Sequence, residues 1–476
     1  MIPTLQELTH YYPLIVIGVG ILISLTIEMF YKGSKKILPW FSIIMFLTIA
    51  YYSLYSVHDQ AYTASTMLAA GGIVNIFYFV FNFSAAVVVF LSMDYIRKTG
   101  IYFGEFYILL QSAVLGMMLM ASARDLVVIF LGLEQMSICF YVLAGINRKK
   151  IKSTEASLKY FLLGSFATGF IIYGMALIYG TTTTLSLPEI FLISSQLSGN
   201  ILFFVGVLLF VIGFSFKIAA FPFHMWVPDV YQGAPTTVTA LMSTAGKTAA
   251  FATLLVVLIP IIQAFDDNLF RPFLSILAVF SMVYGSIVAI VQTDIKRMLA
   301  YSSIAHAGYM LIGLAAGTDN GTTGIIYYLT AYSFMNLGAF GIVAYIEGID
   351  ETNLSIENYS GLSNQSPVIA GLLSLFMFAL SGIPPFAGFF GKYYVFISAI
   401  ENGLTWLAII GVLSSVISVY FYLRVVVLMY FRKQDAPITL ITSKSSLLGI
   451  FISAILVVLL GVLPGTFVEL INIFVK

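Results

Sequence analysis

Charge is what this chain has least of. Of its 476 residues 9% are Asp, Glu, Lys or Arg and 60% are hydrophobic, whereas an ordinary soluble domain is about 25% charged. So few polar groups cannot cover a water-facing surface, and the solvent this sequence suits is lipid. Cysteine is scarcer still: Cys139 is alone, which excludes a disulfide framework and the thiolates of an iron–sulfur cluster. No Walker loop, Rossmann glycine fingerprint or metal-ligand cluster appears, so the chain has no visible means of carrying electrons. A net charge of +1 gives no hold on nucleic acid. The first twelve residues hold Glu7 and no Lys or Arg, unlike a cleaved signal peptide, so the first apolar run is expected to be a permanent span.

What is present is a series of apolar runs. A span needs about 20 predominantly apolar residues, and by that measure the sequence predicts an all-α integral membrane protein with roughly fourteen transmembrane helices. Three come first, at 13–31, 37–56 and 74–96. Then follow 105–122, 125–146, 157–180, a broken run 200–227, and 236–260. The next group is 271–291, 297–317, 322–347, a second broken run 367–399, and 404–430, and 447–474 closes the chain. Lysine and arginine mark the cytoplasmic side. Loops after odd-numbered spans hold Lys32, Lys35, Lys36, Arg97, Lys98, Arg148, Lys149, Lys150, Lys152, Lys296, Arg297, Arg432, Lys433 and Lys444. The opposite side holds Arg124, Arg271 and Lys476. Both termini are therefore expected outside the cytoplasm. The acidic segment 347–357 sits on the cytoplasmic side without weighing against this, because acids count little in the rule.

The two broken runs would be about 42 and 50 Å long as straight helices, against a hydrocarbon core of about 30 Å. Pro222 interrupts the first, and Pro384 with Pro385 the second; proline removes a backbone donor and frees a carbonyl one turn back. Five spans separate the breaks, so two consecutive five-span units point in opposite directions. Interrupted helices at matching places in inverted units point to a transport site. The expected division is 1–104 for three N-terminal spans, 105–262 and 263–431 for two inverted five-helix repeats with helices 7 and 12 broken, and 432–476 for a last span. The repeat is read from layout, because the units share little sequence.

Charges deep within spans are costly in lipid and are kept where something uses them. Glu134 lies near the middle of its span; Lys217, Lys247 and Lys392 are too deep for their stems to reach water. Burial favours the neutral amine and a nearby carboxylate the charged one, so a lysine under both influences changes state when one neighbour moves. A static ion pair accounts for one acid and one amine, but three amines against one acid cannot all be paired. His224 and His306, the histidines within spans, are further relay candidates, since imidazole titrates near neutrality; packing is the alternative for each. Glu155 and Lys159 form a favourable i,i+4 pair near a span end, Arg424 is shallow enough to snorkel, and Asp229 reads equally as a cap.

These residues resemble a family. The stretch from Lys217 to Thr236, Glu134 in its span, Lys247 in Ser243-Thr244-Ala245-Gly246-Lys247-Thr248, and Gly382-Ile383-Pro384-Pro385 with Lys392 are similar to the antiporter-like membrane subunits of respiratory complex I, NADH–quinone oxidoreductase. The resemblance covers essentially the whole chain and implies fourteen helices with the seventh and twelfth broken. It implies that Glu134 pairs with Lys217, that Lys247 connects the half-channels with help from His224 and His306, and that Lys392 ends the exit channel; Glu155 and Lys159 also match family positions, for relay or entry. Lysine at 392 favours the N-type or L-type subunit over the M-type, and a chain ending at Lys476 is expected to be N-type. The resemblance further implies a translocase subunit in the inner (plasma) membrane. Its partners would be other antiporter-like subunits, small membrane subunits, lipid and protons. Quinone, flavin and iron–sulfur clusters would sit in other subunits, and this chain would bind no cofactor. The alternative is a subunit of a Mrp-type cation/proton antiporter.

Overall fold

A computed structural model describes residues 9–56, 67–101, 103–197, 199–264, 270–347, 352–433, 440 and 443–475. His58 and Lys476 lie outside the described residues. In hydrocarbon an unpartnered backbone group costs several kcal/mol, so each crossing must close its own hydrogen bonds, and helices dominate here for that reason. They are α1 (Tyr12–Phe30), α2 (Ser34–Tyr55), α3 (Gly72–Lys98), α4 (Glu105–Ser122), α5 (Leu126–Ala144) and α6 (Ile151–Thr182). A short α7 (Leu187–Ser194) precedes α8 (Ile201–Ile218), α9 (Val227–Gly233) and α10 (Thr236–Ala264). Next come α11 (Phe270–Ile290), α12 (Ile295–Ala316), α13 (Asp319–Ile346), α14 (Pro367–Ser381) and α15 (Ala387–Glu401). The series ends with α16 (Thr405–Phe431), α17 (Lys444–Val462) and α18 (Pro464–Val475).

Among the described residues thirteen helices are long and apolar enough to cross a membrane. The pair α14 and α15 shares one further crossing, so α8 begins the seventh and α14 the twelfth. One expected span is revised. The run 447–474 is not a single helix, because Pro464 ends α17 two residues earlier and restarts the chain as α18. Proline suits the first turn of a helix and not its interior.

Neither break is made by proline alone. The helix α8 stops at Ile218 because Ala219 takes a left-handed conformation, φ 65°. The Ala219 N–H then donates to the Phe216 carbonyl (3.1 Å) and the Ala220 N–H to that of Ser215 (2.9 Å). The helix α14 ends the same way: Gly382 has φ 86°, its N–H donates to Ala379 (3.1 Å), and the Ile383 N–H donates to Phe378 (3.1 Å). Both are Schellman caps, which satisfy the last carbonyls of a helix. Pro222 and Pro384–Pro385 come afterwards, in the turns.

Other features recur beside the caps. Asp125 caps α5 through Val127 N–H and bridges Ser186; Asp294 caps α12 through Arg297 N–H and bridges Ser355, at identical chain separation. Without a hydrophobic force between helices, lipid-borne helices cohere by close packing at small residues. Here a Cβ on Gly132 would lie 2.8 Å from the Gly116 carbonyl oxygen, so the backbones of α4 and α5 touch. The best-enclosed helix is α13, packed by α3, α10, α12, α15 and α17. Large apolar side chains of α1, α6, α16 and α17 stay exposed, as a lipid-facing wall requires.

Candidate functional site

Lys217 lies in the last turn of α8, where helix-end carbonyls favour a cation, and it is buried. Its Nζ donates to Ser137 Oγ (2.7 Å) and to the Tyr141 hydroxyl (3.3 Å), both on α5. The rings of Tyr141, Phe216 and Tyr160 lie 5.4, 5.6 and 5.7 Å from it, within cation–π reach. Glu134 is one turn away on α5, yet its Oε1 accepts instead from Thr168 on α6 (2.7 Å). No ion pair joins Glu134 to Lys217 among those found between described residues. Nor is Glu134 enclosed: it is half-buried, on a face where Leu131 and Ile138 are exposed.

Lys247 is 1% exposed. It follows a π-helical turn, Met242–Gly246, within α10; single π turns rotate the next side chain out of α-helical register and often mark functional positions. Its Nζ donates to the Ser303 carbonyl (2.6 Å) and to Ser303 Oγ (2.5 Å), both on α12. One turn further along α12, His306 Nδ1 lies 2.7 Å from the Tyr328 hydroxyl and Nε2 3.0 Å from that of Tyr422. Tyr422 also bonds Ser302. In a neutral imidazole one nitrogen donates and the other accepts, so the ring links α13 to α16.

Lys392, on α15, reaches back to the end of α14. Its Nζ donates to the Ser381 carbonyl (2.8 Å) and Ser415 Oγ (2.8 Å), and lies 5.0 Å from the Tyr309 ring centre. Both breaks therefore set an amine at the carbonyl end of their first half, Lys217 from within it and Lys392 from beyond it. That resolves why one lysine precedes its break in sequence and the other follows. Beside Lys392 lies a cavity of about 440 Å³ lined by Phe389, Phe396, Val412 and Ser415.

The other expected residues group differently. His224 stacks on Phe221 and packs against Tyr284, and its Nδ1 has no hydrogen-bond partner among the described residues; its contacts with described residues do not join it to Lys217, Lys247 or His306. Glu155 does pair with Lys159 (2.7 Å), and Lys159 also meets Asp229 (2.7 Å), which bonds Arg297 (2.8 Å). Asp229 is thus a three-helix hub of α6, α9 and α12 rather than a cap. Burial pushes its carboxyl up, but hydrogen bonds from Lys159 and Arg297 outweigh that and hold it below the ordinary carboxylate value. Two residues assigned to loops are buried. Lys296 donates to the Ala234 carbonyl (2.8 Å), and Glu347 accepts from Tyr95 (3.1 Å) and Thr236 (2.5 Å). Among the described residues no group of three or more His, Cys, Asp or Glu is placed to hold a metal.

A family profile described as NADH:quinone oxidoreductase/Mrp antiporter, TM, matches residues 123–418. NADH-quinone oxidoreductase subunit N 1 of Chloroherpeton thalassium is 43% identical over 95% of this chain and 94% of its own length. Subunit N of Trichlorobacter lovleyi is 46% identical over 84% of the chain and 83% of its length. The chain belongs to the subunit N family of NADH-quinone oxidoreductases. Among solved structures, a chain of respiratory complex I from Thermus thermophilus with bound aureothin superposes with a TM-score of 0.83 at 30% identity, over 96% of this chain and 98% of that one. A chain of the Mrp complex from Dietzia sp. superposes at 0.85 with 18% identity, over 97% and 96%, which is likeness of fold alone.

In this member of the subunit N family, the amines and His306 were legible from sequence as charges misplaced in lipid. Their partners were not. Ser137, Ser303 and Ser415 carry hydroxyls of a kind that usually bonds the preceding turn of its own helix, Tyr328 and Tyr422 are two among 29 tyrosines, and no spacing sets these five apart.

Proposed function

We propose that this chain conducts protons along the membrane plane as the N-type subunit of a redox-driven NADH–quinone oxidoreductase. The observation that carries the reading is His306, held between Tyr328 and Tyr422 while Lys247 and Lys392 are held by serines of the same helices, α12 and α16. Amine, imidazole and hydroxyl groups in succession are what a proton needs to cross a low-dielectric interior without leaving a bare charge. The recurring caps and aspartate bridges support two inverted units at 105–262 and 263–431, flanked by 1–104 and 432–476. The bias of basic residues supports both termini lying opposite the cytoplasm.

In the proposed mechanism Lys217 has two alternatives, the hydroxyls of Ser137 and Tyr141 that it bonds in the structure, or the Glu134 carboxylate one turn away. Reduction chemistry elsewhere in the assembly alters the charge beside Glu134, and Coulomb attraction in a low-dielectric site is strong enough to move the amine. The proton on Lys217 is then driven through Lys247 and His306 toward Lys392. Reprotonation comes from the cytoplasmic side and release goes to the other. Glu155 and Lys159 would serve uptake, and His224, apart from the line, would act through water. Quinone, flavin and iron–sulfur clusters belong to other subunits in this reading, and the partners are other membrane subunits meeting the exposed walls.

The test is Lys217→Met and Lys247→Met in the assembled complex, with proton pumping measured beside quinone reduction and assembly checked by native gel. Loss of pumping in assembled complex is expected. Wild-type pumping in both variants would sink the relay.

A further inference from the structure

The face of α13 that carries Tyr328, the partner of His306, continues past Lys247, and the line from Lys217 to Lys392 leaves that continuation unused. Tyr332, Asn336 and Phe340 follow one another on it at i,i+4 spacing, and Glu347 closes the helix. The Tyr332 ring centre lies 5.6 Å from Lys247 Nζ, and its hydroxyl is near the side chains of Ser303 and Asn336. Phe340 meets Tyr231 edge-on at 6.3 Å. At the far end the Glu347 carboxylate, 1% exposed, takes the hydroxyls of Tyr95 and Thr236. The helix rises about 22 Å from Tyr332 to Glu347 at 1.5 Å per residue.

This face and the α10 turn beside it carry buried polar atoms with no hydrogen-bond partner among the described residues. Among the described residues the Tyr332 hydroxyl and both ends of the Asn336 amide are buried without a hydrogen-bond partner, as is, on α10, the hydroxyl of Thr237 next to Thr236. A buried amide with neither its donor nor its acceptor paired is rare. Polar groups of this kind hold water in protein interiors, each water bonding two to four of them.

We propose that this face is a proton inlet, in which water held by Tyr332, Asn336 and Thr237 connects the Glu347 carboxylate to the Lys247 amine. The proposal rests on the reading of Lys247 as a relay group. A proton from the side bearing the basic loops adds to the Glu347 carboxylate and forms an O–H bond. That bond breaks as the proton passes to water, and the chain of water delivers it to the neutral Lys247 amine after the amine has given its own proton toward His306. Glu347 returns to carboxylate and Lys247 to ammonium. Phe340 is the apolar step between Asn336 and Glu347, so water spans it only when the ring swings off Tyr231. The titratable groups facing this route are Tyr95 from α3, Tyr231 from α9, Lys247 from α10, His306 from α12, whose ring centre lies 5.0 Å from that of Tyr332, and Tyr359 from the 3-10 turn Ile356–Tyr359, which Asp294 also faces and whose hydroxyl has no partner among the described residues.

An inlet limits turnover when protons are scarce, which a packing role does not. The assembled complex in vesicles is assayed for quinone reduction and proton uptake with the uptake-side pH stepped from about 6 to about 9. Tyr332→Phe, Asn336→Leu and Glu347→Gln are expected to run near wild type at the acid end and to fall about tenfold behind at the alkaline end, the effect of one lost hydrogen-bonding carrier. Tyr332→Phe removes one oxygen and no volume, so it decides the matter if Asn336→Leu does not assemble. Profiles parallel to wild type at every pH, at full or reduced rate, overturn the inlet. Lys247→Met in the same vesicles separates the two readings. If it stops pumping while the inlet variants track wild type, the inlet alone falls; if it pumps normally, the relay falls with it.

Discussion

The ammonium of Lys217 rests 2.7 Å from the Ser137 hydroxyl, one helical turn from the carboxylate that charge alone would select for it. A hydrogen bond to a charged buried group contributes roughly 1.5–3 kcal/mol, enough to hold the amine off Glu134. Ser137→Ala should release it to that carboxylate and leave the pair locked. The expected outcome is a loss of pumping and of coupled quinone reduction by about tenfold or more, measured in assembled complex. Unchanged coupled turnover would count against two alternative positions for Lys217.

The imidazole of His306 has one hydroxyl on each nitrogen, so each tyrosine alone still leaves it a partner. Tyr328→Phe and Tyr422→Phe should each cost a few-fold in pumping. The double variant should cost more than the product of the two, because it strands both nitrogens in a buried site. A strictly multiplicative double variant would show that the ring packs rather than conducts.

The first break is capped by Ala219 where the second has Gly382. A Cβ in the left-handed region is disfavoured by roughly 1–2 kcal/mol, and glycine returns part of that through the entropy of the unfolded chain. Ala219→Gly is therefore expected to stabilise by up to about 1 kcal/mol, seen as a higher Tm of the purified complex. Gly382→Ala should have the opposite sign, since its Cβ would also approach Lys392 Nζ to 3.0 Å. Equal responses at the two positions would refute this account of the caps.

Asp229 gives a pH dependence of definite sign. Its folded carboxyl is held below the ordinary value, so the hub contributes stability above the unfolded pKa of about 3.9, and loses it as pH falls through the lower folded value. Hydrogen exchange in α9 should be slower in wild type than in Asp229→Asn at neutral pH, and the difference should close on acidification below about pH 4. A gap that persists in acid would place the effect elsewhere.

Much of the architecture was legible because lipid imposes it: apolar runs of the right length, and overlong runs that had to break. Finer features were not. Lys296 stands one residue inside α12, and no pattern of charge distinguishes a loop lysine from one turned inward at a helix start. The cap at Ala219 was hidden because alanine is a helix former and the nearby Pro222 drew the break to itself. Pro464 was a readable signal that the hydropathy of its run obscured. Pairing of Glu134 with Lys217 was what the family resemblance implied. Ser137 and Thr168 prevail in the structure because their hydroxyls sit nearer, which only the packing of α5 against α6 and α8 reveals.

The open flank at Glu134 has a consequence for how the chain can be studied. Lys247, His306 and Lys392 are walled in by their own polypeptide, which supplies their dielectric. Glu134 is not, and whatever lies against α5 sets the effective permittivity around it. In detergent that medium is a micelle; in a membrane it is lipid or a neighbouring subunit. The strength of the first electrostatic contact is then a property of the neighbour as much as of this sequence, so a variant at Glu134 should change its effect with the surroundings while one at Lys247 keeps it.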